Sequence, residues 1–139
     1  MHAHVHHVHI FTEDINTTVL WWTEKLGGKV AFDSDFGGSR NVFMRVGEGR
    51  IHFYDQRPHD SGKGAIHHIG IRSENLRELH AQLIEKGVKF RSDIREFGSW
   101  RYIMCMAPDN VLLELFEIDR DTTEPKLASY FLDPAPDED

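Results

Sequence analysis

Ten of the 139 residues are histidines, and five of them fall within the first nine positions. Imidazoles suit transition-metal coordination and proton transfer near neutral pH. Four ligand-capable side chains stand out by their spacing. His7 and His68 lie in two similar stretches, His6-His7-Val8-His9-Ile10 and His67-His68-Ile69-Gly70-Ile71, and are 61 positions apart. His52, in Arg50-Ile51-His52-Phe53-Tyr54, and Glu114, in Leu112-Leu113-Glu114-Leu115, are 62 apart. One histidine in a strand is ordinarily a satisfied core residue or a solvated one. A lone carboxylate among leucines is different, because burying it without a cation, a proton or solvent is costly. Two matched pairs together direct the reading to a metal. Three imidazoles and one carboxylate suit Zn, Ni, Fe, Co or Mn, whereas Ca and Mg take oxygen shells. On an octahedral divalent ion they leave about two positions open, enough for a substrate to chelate through two adjacent oxygens.

Residues near these four acquire roles by strand alternation. His9 shares the face of His7 and is a candidate to orient a substrate or relay a proton. Tyr54, two residues after His52, faces the same cavity. Arg72 has the parity of His68 and, with Arg40, Arg45 and Arg101, is a candidate for a substrate carboxylate or phosphate. Within the pairs His6-His7 and His67-His68 the second member is taken, because it lies on the face of His9 and Gly70. His2, His4 and His6 alternate as surface positions for adventitious metal. Cys105 is the single cysteine. That excludes an intrachain disulfide or a CxxC site, and with no activating neighbour it reads as core.

The elements that must hold these residues repeat. A helix starting near Asp14 carries Ile15, Val19, Trp22 and Leu26 on one face and stops at Gly27-Gly28. A second, capped by Ser73, turns Leu76, Leu79, Leu83 and Ile84 inward and stops at Gly87. Strands follow over Lys29–Asp33, Asn41–Val46 and Arg50–Asp55, and again over Val88–Ile94, Trp100–Met106 and Val111–Glu117. Turns fall at Gly37-Gly38, at Gly47-Glu48-Gly49 and at Pro108-Asp109-Asn110. Ser34–Arg40 and Arg95–Ser99 read as variable loops that select the substrate. The pattern is βαβββ twice. A pseudo-twofold relation between the two would bring His7, His52, His68 and Glu114 to one point.

The chain is expected to be one α+β domain over 1–139. Module one covers about 5–57, module two about 65–118, and an acidic tail 119–139, whose Tyr130-Phe131-Leu132 docks on the body or on a partner chain. Sixteen basic against 23 acidic residues give a formal charge of −7. Such an acidic balance excludes nucleic acid and anionic membranes as main partners. No apolar run has membrane-spanning length, and Met1-His2-Ala3-His4 lacks the apolar core of a signal peptide, so a cytoplasmic location is expected. The helical Trp21 and Trp22 are expected to pack on the sheet rather than join Trp100 in lining a groove.

Several motifs in order carry a family resemblance. They are His6-His7-Val8-His9-Ile10, Trp21-Trp22-Thr23-Glu24-Lys25-Leu26-Gly27, His67-His68-Ile69-Gly70-Ile71 and Pro108-Asp109-Asn110-Val111-Leu112-Leu113-Glu114-Leu115. Over about residues 5–118 the chain resembles the vicinal oxygen chelate superfamily. That superfamily includes glyoxalase I, methylmalonyl-CoA epimerase, extradiol dioxygenases, fosfomycin-resistance enzymes and bleomycin-resistance proteins. The resemblance implies two tandem βαβββ modules forming an open, cup-shaped mixed β-sheet barrel with helices outside. It implies His7, His52, His68 and Glu114 as ligands of one divalent transition metal, a small-molecule substrate and a homodimer.

The implied activity is that of a glyoxalase- or epimerase-like lyase or isomerase, with Glu114 as ligand and base and an enediolate stabilised by the ion. At the His52 position glyoxalase I resembles a Glu and the epimerases a Gln, so a symmetric two-base shuttle is not implied here. Met104 lines the substrate pocket where the fosfomycin enzymes carry a phosphonate-binding tyrosine. The alternatives are an Fe(II) or Mn(II) dioxygenase, which needs His52 loosely bound or outside the shell, and a bleomycin-resistance-like binding protein without catalysis.

Overall fold

The structure, a computed structural model, describes residues 3, 5–36, 38–60 and 64–134. His2, His4 and tail residues 135–139 lie outside them. The described chain forms two compact units, residues 1–67 with 107–111 and residues 68–106 with 112–139.

In the first unit β1 (Val8–Thr12), α1 (Ile15–Leu26), β2 (Lys29–Phe36), β3 (Ser39–Val46) and β4 (Gly49–Asp55) follow in sequence. They make a four-stranded sheet of order β1-β4-β3-β2, with β1 parallel to β4 and the rest antiparallel. Asp14 caps α1 by accepting a hydrogen bond from the Thr17 N–H at 3.1 Å. At the other end Gly27 adopts φ +70°, the left-handed conformation that ends helices and favours glycine. Alternation divides the strands cleanly. Val42, Met44, Ile51 and Phe53 are buried with Ile15 and Trp22 of α1. Trp22 lies 6.1 Å from Phe53 between ring centroids, so it is core as expected. Burial of side chains of this size contributes about 1.5–3 kcal/mol each. The opposite sheet face carries Phe43, His52 and Tyr54. An irregularity between Val30 and Phe32 changes the parity of β2, so Val30 pairs with Met44 while Phe32 pairs with Phe43.

The second unit repeats the order with β5 (Ile69–Arg72), α2 (Leu76–Glu85), β6 (Arg95–Phe97), β7 (Trp100–Ala107) and β8 (Val111–Ile118). Its sheet runs β5-β8-β7-β6, with β5 parallel to β8. Leu76 and Leu83 of α2 are buried, as are Ile103, Cys105, Leu113 and Leu115. The α+β class and the doubled βαβββ order thus agree with the sequence reading, while several local expectations are corrected. Asn75, not Ser73, caps α2, accepting from Glu78 N–H at 3.1 Å; the Ser73 hydroxyl instead accepts from Asn75 N–H at 3.1 Å. Ile84 points outward and is exposed, because the chain needs only the Leu76–Leu83 stripe to meet the core. Val88–Ile94 is not a strand. The strand comes later, at Arg95–Phe97, inside the stretch read as a loop. Ser34–Phe36 and Ser39–Arg40, from the other stretch read as a loop, likewise belong to β2 and β3, while Gly37 lies outside the described residues.

The expected tail contains a helix, α3 (Pro125–Leu132), capped by Glu124, which accepts from Lys126 and Leu127 N–H at 3.1 Å. Phe131 projects onto Trp100 (4.8 Å, edge to face) and Phe116 (5.7 Å), so the aromatic patch docks on the chain's own second unit. Tyr130 remains exposed. No helix among the described residues is long and apolar enough to cross a membrane.

Candidate metal centre

The backbone register supplies the clearest statement about the predicted residues. In the first unit His9 is the Cα partner of His52; in the second, Gly70 is the partner of Glu114. His9 and Gly70 each stand two residues after His7 and His68. The two pairs therefore occupy equivalent positions in their own sheets. His7 and His68 each fall one residue ahead of the hydrogen-bonded first strand.

Within each unit the paired side chains meet. The rings of His7 and His52 stack with centroids 3.6 Å apart and planes 13° apart. His68 Nε2 lies 3.6 Å from Glu114 Oε2, and the Glu114 side chain is only 19% exposed. Phe43, the antiparallel partner of His52, covers the other face of that imidazole at 3.8 Å and 17°. Burial between these rings, and then the neighbouring His7, His9 and His6, lower the pKa of His52 to about 4. The imidazole is thus neutral at pH 7, the state in which it binds a metal. Burial pushes the Cys105 thiol up to about 11, which makes it an inert core residue.

The ring system continues along the sheet face. His9 lies 5.8 Å from Tyr54, Tyr54 5.7 Å from Phe11, and Phe11 5.7 Å from His59. Tyr54 is half-buried opposite Phe11, on the strand face of His52. Met104 is half-buried and alternates with the buried Ile103 and Cys105. Arg72 pairs with Phe116, keeping the parity of Gly70 and Glu114. It borders a cleft of about 360 Å³ with Arg101, Glu117, Asp119 and Arg120, which contains neither His68 nor Glu114. Two other anion candidates are engaged. Arg40 binds both Asp33 oxygens (2.8 and 2.9 Å) and Asn16 (2.6 Å), and Arg101 binds Glu117 at 2.6 Å.

Phe43 was missed in the sequence and could have been found from its alternation with the apolar Val42 and Met44. His6, read as a surface position for adventitious metal, joins His7 and His52, all three presenting ligand atoms within 4.8 Å of one another. Strand alternation sets His6 on the face opposite His7, but residues 5–7 precede β1 and escape that rule.

The sequence model of the Glyoxalase/Bleomycin resistance protein/Dioxygenase superfamily matches residues 4–115, and the chain belongs to that superfamily. Solved structures share the fold. UcmS2 has a TM-score of 0.71 at 20% identity, covering 84% of this chain and 98% of its own. The fosfomycin resistance protein FosX from Listeria monocytogenes has a TM-score of 0.71 at 17% identity, with 88% and 97% covered. A glyoxalase I mutant from Zea mays has a TM-score of 0.69 at 21% identity, with 79% of this chain and 43% of that one covered. No curated protein matches in sequence.

Proposed function

We propose that the chain is a metal-dependent enzyme of glyoxalase or epimerase type, a lyase or isomerase acting on a small substrate with two adjacent oxygens. The observation that carries the reading is the matched pairing inside each unit: His7 against His52, and His68 3.6 Å from Glu114. Three imidazoles and a carboxylate fit a divalent Zn, Ni, Co, Mn or Fe ion. Two donors alone fall short of the three protein ligands of a catalytic shell, so the reading requires both pairs to serve the same ion. When bound, the ion supplies Lewis acidity to adjacent substrate oxygens and so acidifies the neighbouring C–H bond.

The remaining chemistry belongs to the chain. Glu114, poorly hydrated among leucines, accepts the proton from carbon and returns it. His9, beside His52 and Tyr54, orients the substrate or relays that proton. Tyr54, Met104 and Arg72 contact the substrate. The active form is a homodimer in the cytoplasm.

A second reading rests on the His52 stack. With both ring faces covered by Phe43 and His7, His52 can stay outside the shell. His7, His68 and Glu114 then form the two-histidine, one-carboxylate set of Fe(II) oxygenases. Elemental analysis of tag-free protein, purified without added metal or chelator, separates the two. About one Ni, Zn, Co or Mn per chain supports the lyase or isomerase and about one Fe the dioxygenase. No metal even after reconstitution overturns both and leaves a binding protein.

A further inference from the structure

The face of the second sheet that bears Glu114 is closed at one end by the chain's own last helix. On β8, Phe116 stands two residues after Glu114, about 7 Å along the strand. It keeps the parity of Glu114, since Gly70 pairs with Glu114 and Arg72 with Phe116. Trp100 of β7 stacks on Phe116 at 5.2 Å and 25°, which puts it on that face too. Tyr102 and Met104 follow by alternation, while Ile103 and Cys105 are buried on the other side. Phe131 of α3 meets Trp100 (4.8 Å) and Phe116 (5.7 Å), each edge to face, and Phe116 is left only 8% exposed. Two tethers besides this ring hold the helix in place: Arg120 binds Asp133 at 2.6 Å, and the hydroxyls of Thr123 and Ser99 meet at 2.7 Å.

Rings in contact have centroids about 4.5–7 Å apart. With Phe116 about 7 Å from Glu114, the face has room for one ring between the carboxylate and the wall of Phe116 and Phe131, and not for two. Chemistry along this stretch is apolar. The arginines of this face, Arg72 and Arg95, sit on the outer strands β5 and β6, whereas β7 and β8 present aromatic and thioether side chains around Glu114.

We propose that Phe131 is a specificity-determining residue, the end wall of a slot on the Glu114 face, and that the substrate carries one aromatic ring, or an apolar group of that size, next to its two adjacent oxygens. The inference rests on the vicinal-oxygen reading above; it adds the class of the attached group and the residue that limits its length. Trp100, Tyr102 and Met104 supply the apolar surface on which that group lies.

The test is calorimetric binding of catechol and of naphthalene-2,3-diol to the full chain reconstituted with Zn(II). Both probes present two adjacent oxygens, and they differ by one fused ring. An apolar pocket discriminates about 10–200-fold for a single methylene, so the unaltered chain should bind catechol at least about tenfold more tightly. Phe131→Leu, which keeps an apolar contact to the sheet, and Phe131→Ala should tighten the naphthalenediol at least about tenfold and hardly move catechol. Tyr130→Ala, exposed on the same helix, should keep the unaltered ratio. General loosening of α3 would shift both diols together. Equal shifts, an unchanged ratio in the Phe131 variants, or equal affinities in the unaltered chain overturn the wall and leave the vicinal-oxygen reading standing. Binding of neither diol to any form overturns that reading, and the wall with it.

Discussion

The imidazole of His52 lies face to face with that of His7, centroids 3.6 Å apart, while Phe43 closes its opposite face at 3.8 Å. The strand register causes this arrangement. Phe43 is the cross-strand partner of His52, and His7, just outside β1, folds over from the parallel neighbour. A histidine in such a sandwich is kept neutral by desolvation and by the nearby imidazoles.

An acid-sensitive stability follows for metal-free protein. His52 has a pKa of about 4 in the folded chain against about 6.5 when unfolded. Between these values the unfolded state binds more protons, so stability falls as pH drops from 6.5 towards 4 and gains nothing further above 6.5. Urea melts of chelator-treated protein at pH 5 and pH 7 should show this loss. His52→Phe should flatten the difference, and an unchanged pH slope in that variant would assign the acid sensitivity elsewhere.

Glu114→Gln keeps the size of the side chain but removes its negative charge and its basic oxygen. Turnover of a dicarbonyl-derived or acyl-CoA substrate should drop by about 10²–10⁴-fold, the typical contribution of a positioned base. The melting temperature should hardly move. Equal turnover in both proteins would remove Glu114 from the chemistry.

Docking of α3 should depend on Phe131 and not on its neighbour. Phe131 meets Trp100 and Phe116, whereas Tyr130 is exposed. Phe131→Ala should cost about 2 kcal/mol, less than the roughly 3–5 kcal/mol of a fully buried phenylalanine because Phe131 is half-buried. Tyr130→Ala should stay within about 0.5 kcal/mol. Denaturant melts compare them directly; equal losses would mean that the helix is held by its backbone and not by this ring.

Periodicity and punctuation were enough to find α1, because Asp14, the Ile15–Trp22 stripe and Gly27 all agree locally. They also yielded the doubled βαβββ order and the alignment of His7 with His68 and of His52 with Glu114, since equivalent elements repeat with equivalent residues. The paired strands β5 and β8 confirm that alignment through Gly70 and Glu114, just as β1 and β4 do through His9 and His52. Local rules failed where tertiary packing chose among acceptable options. Asn75 and Ser73 are both good caps, and the position of Leu76 in the core selects Asn75. The β-branched, apolar content of Val88–Ile94 suits a strand, yet hydrogen bonding assigns the edge strand to Arg95–Phe97. The tail's composition is polar, and only the ring of Phe131 meeting Trp100 makes it a docked helix.

Residue types and spacing by themselves determined which side chains could bind a metal, because ligand chemistry belongs to the residue. Which of them touch was decided by register and backbone irregularity. The stacking of Phe43 on His52 and the approach of His6 to His7 depend on contacts between strands and on a segment outside any strand, and no periodicity along the chain encodes either.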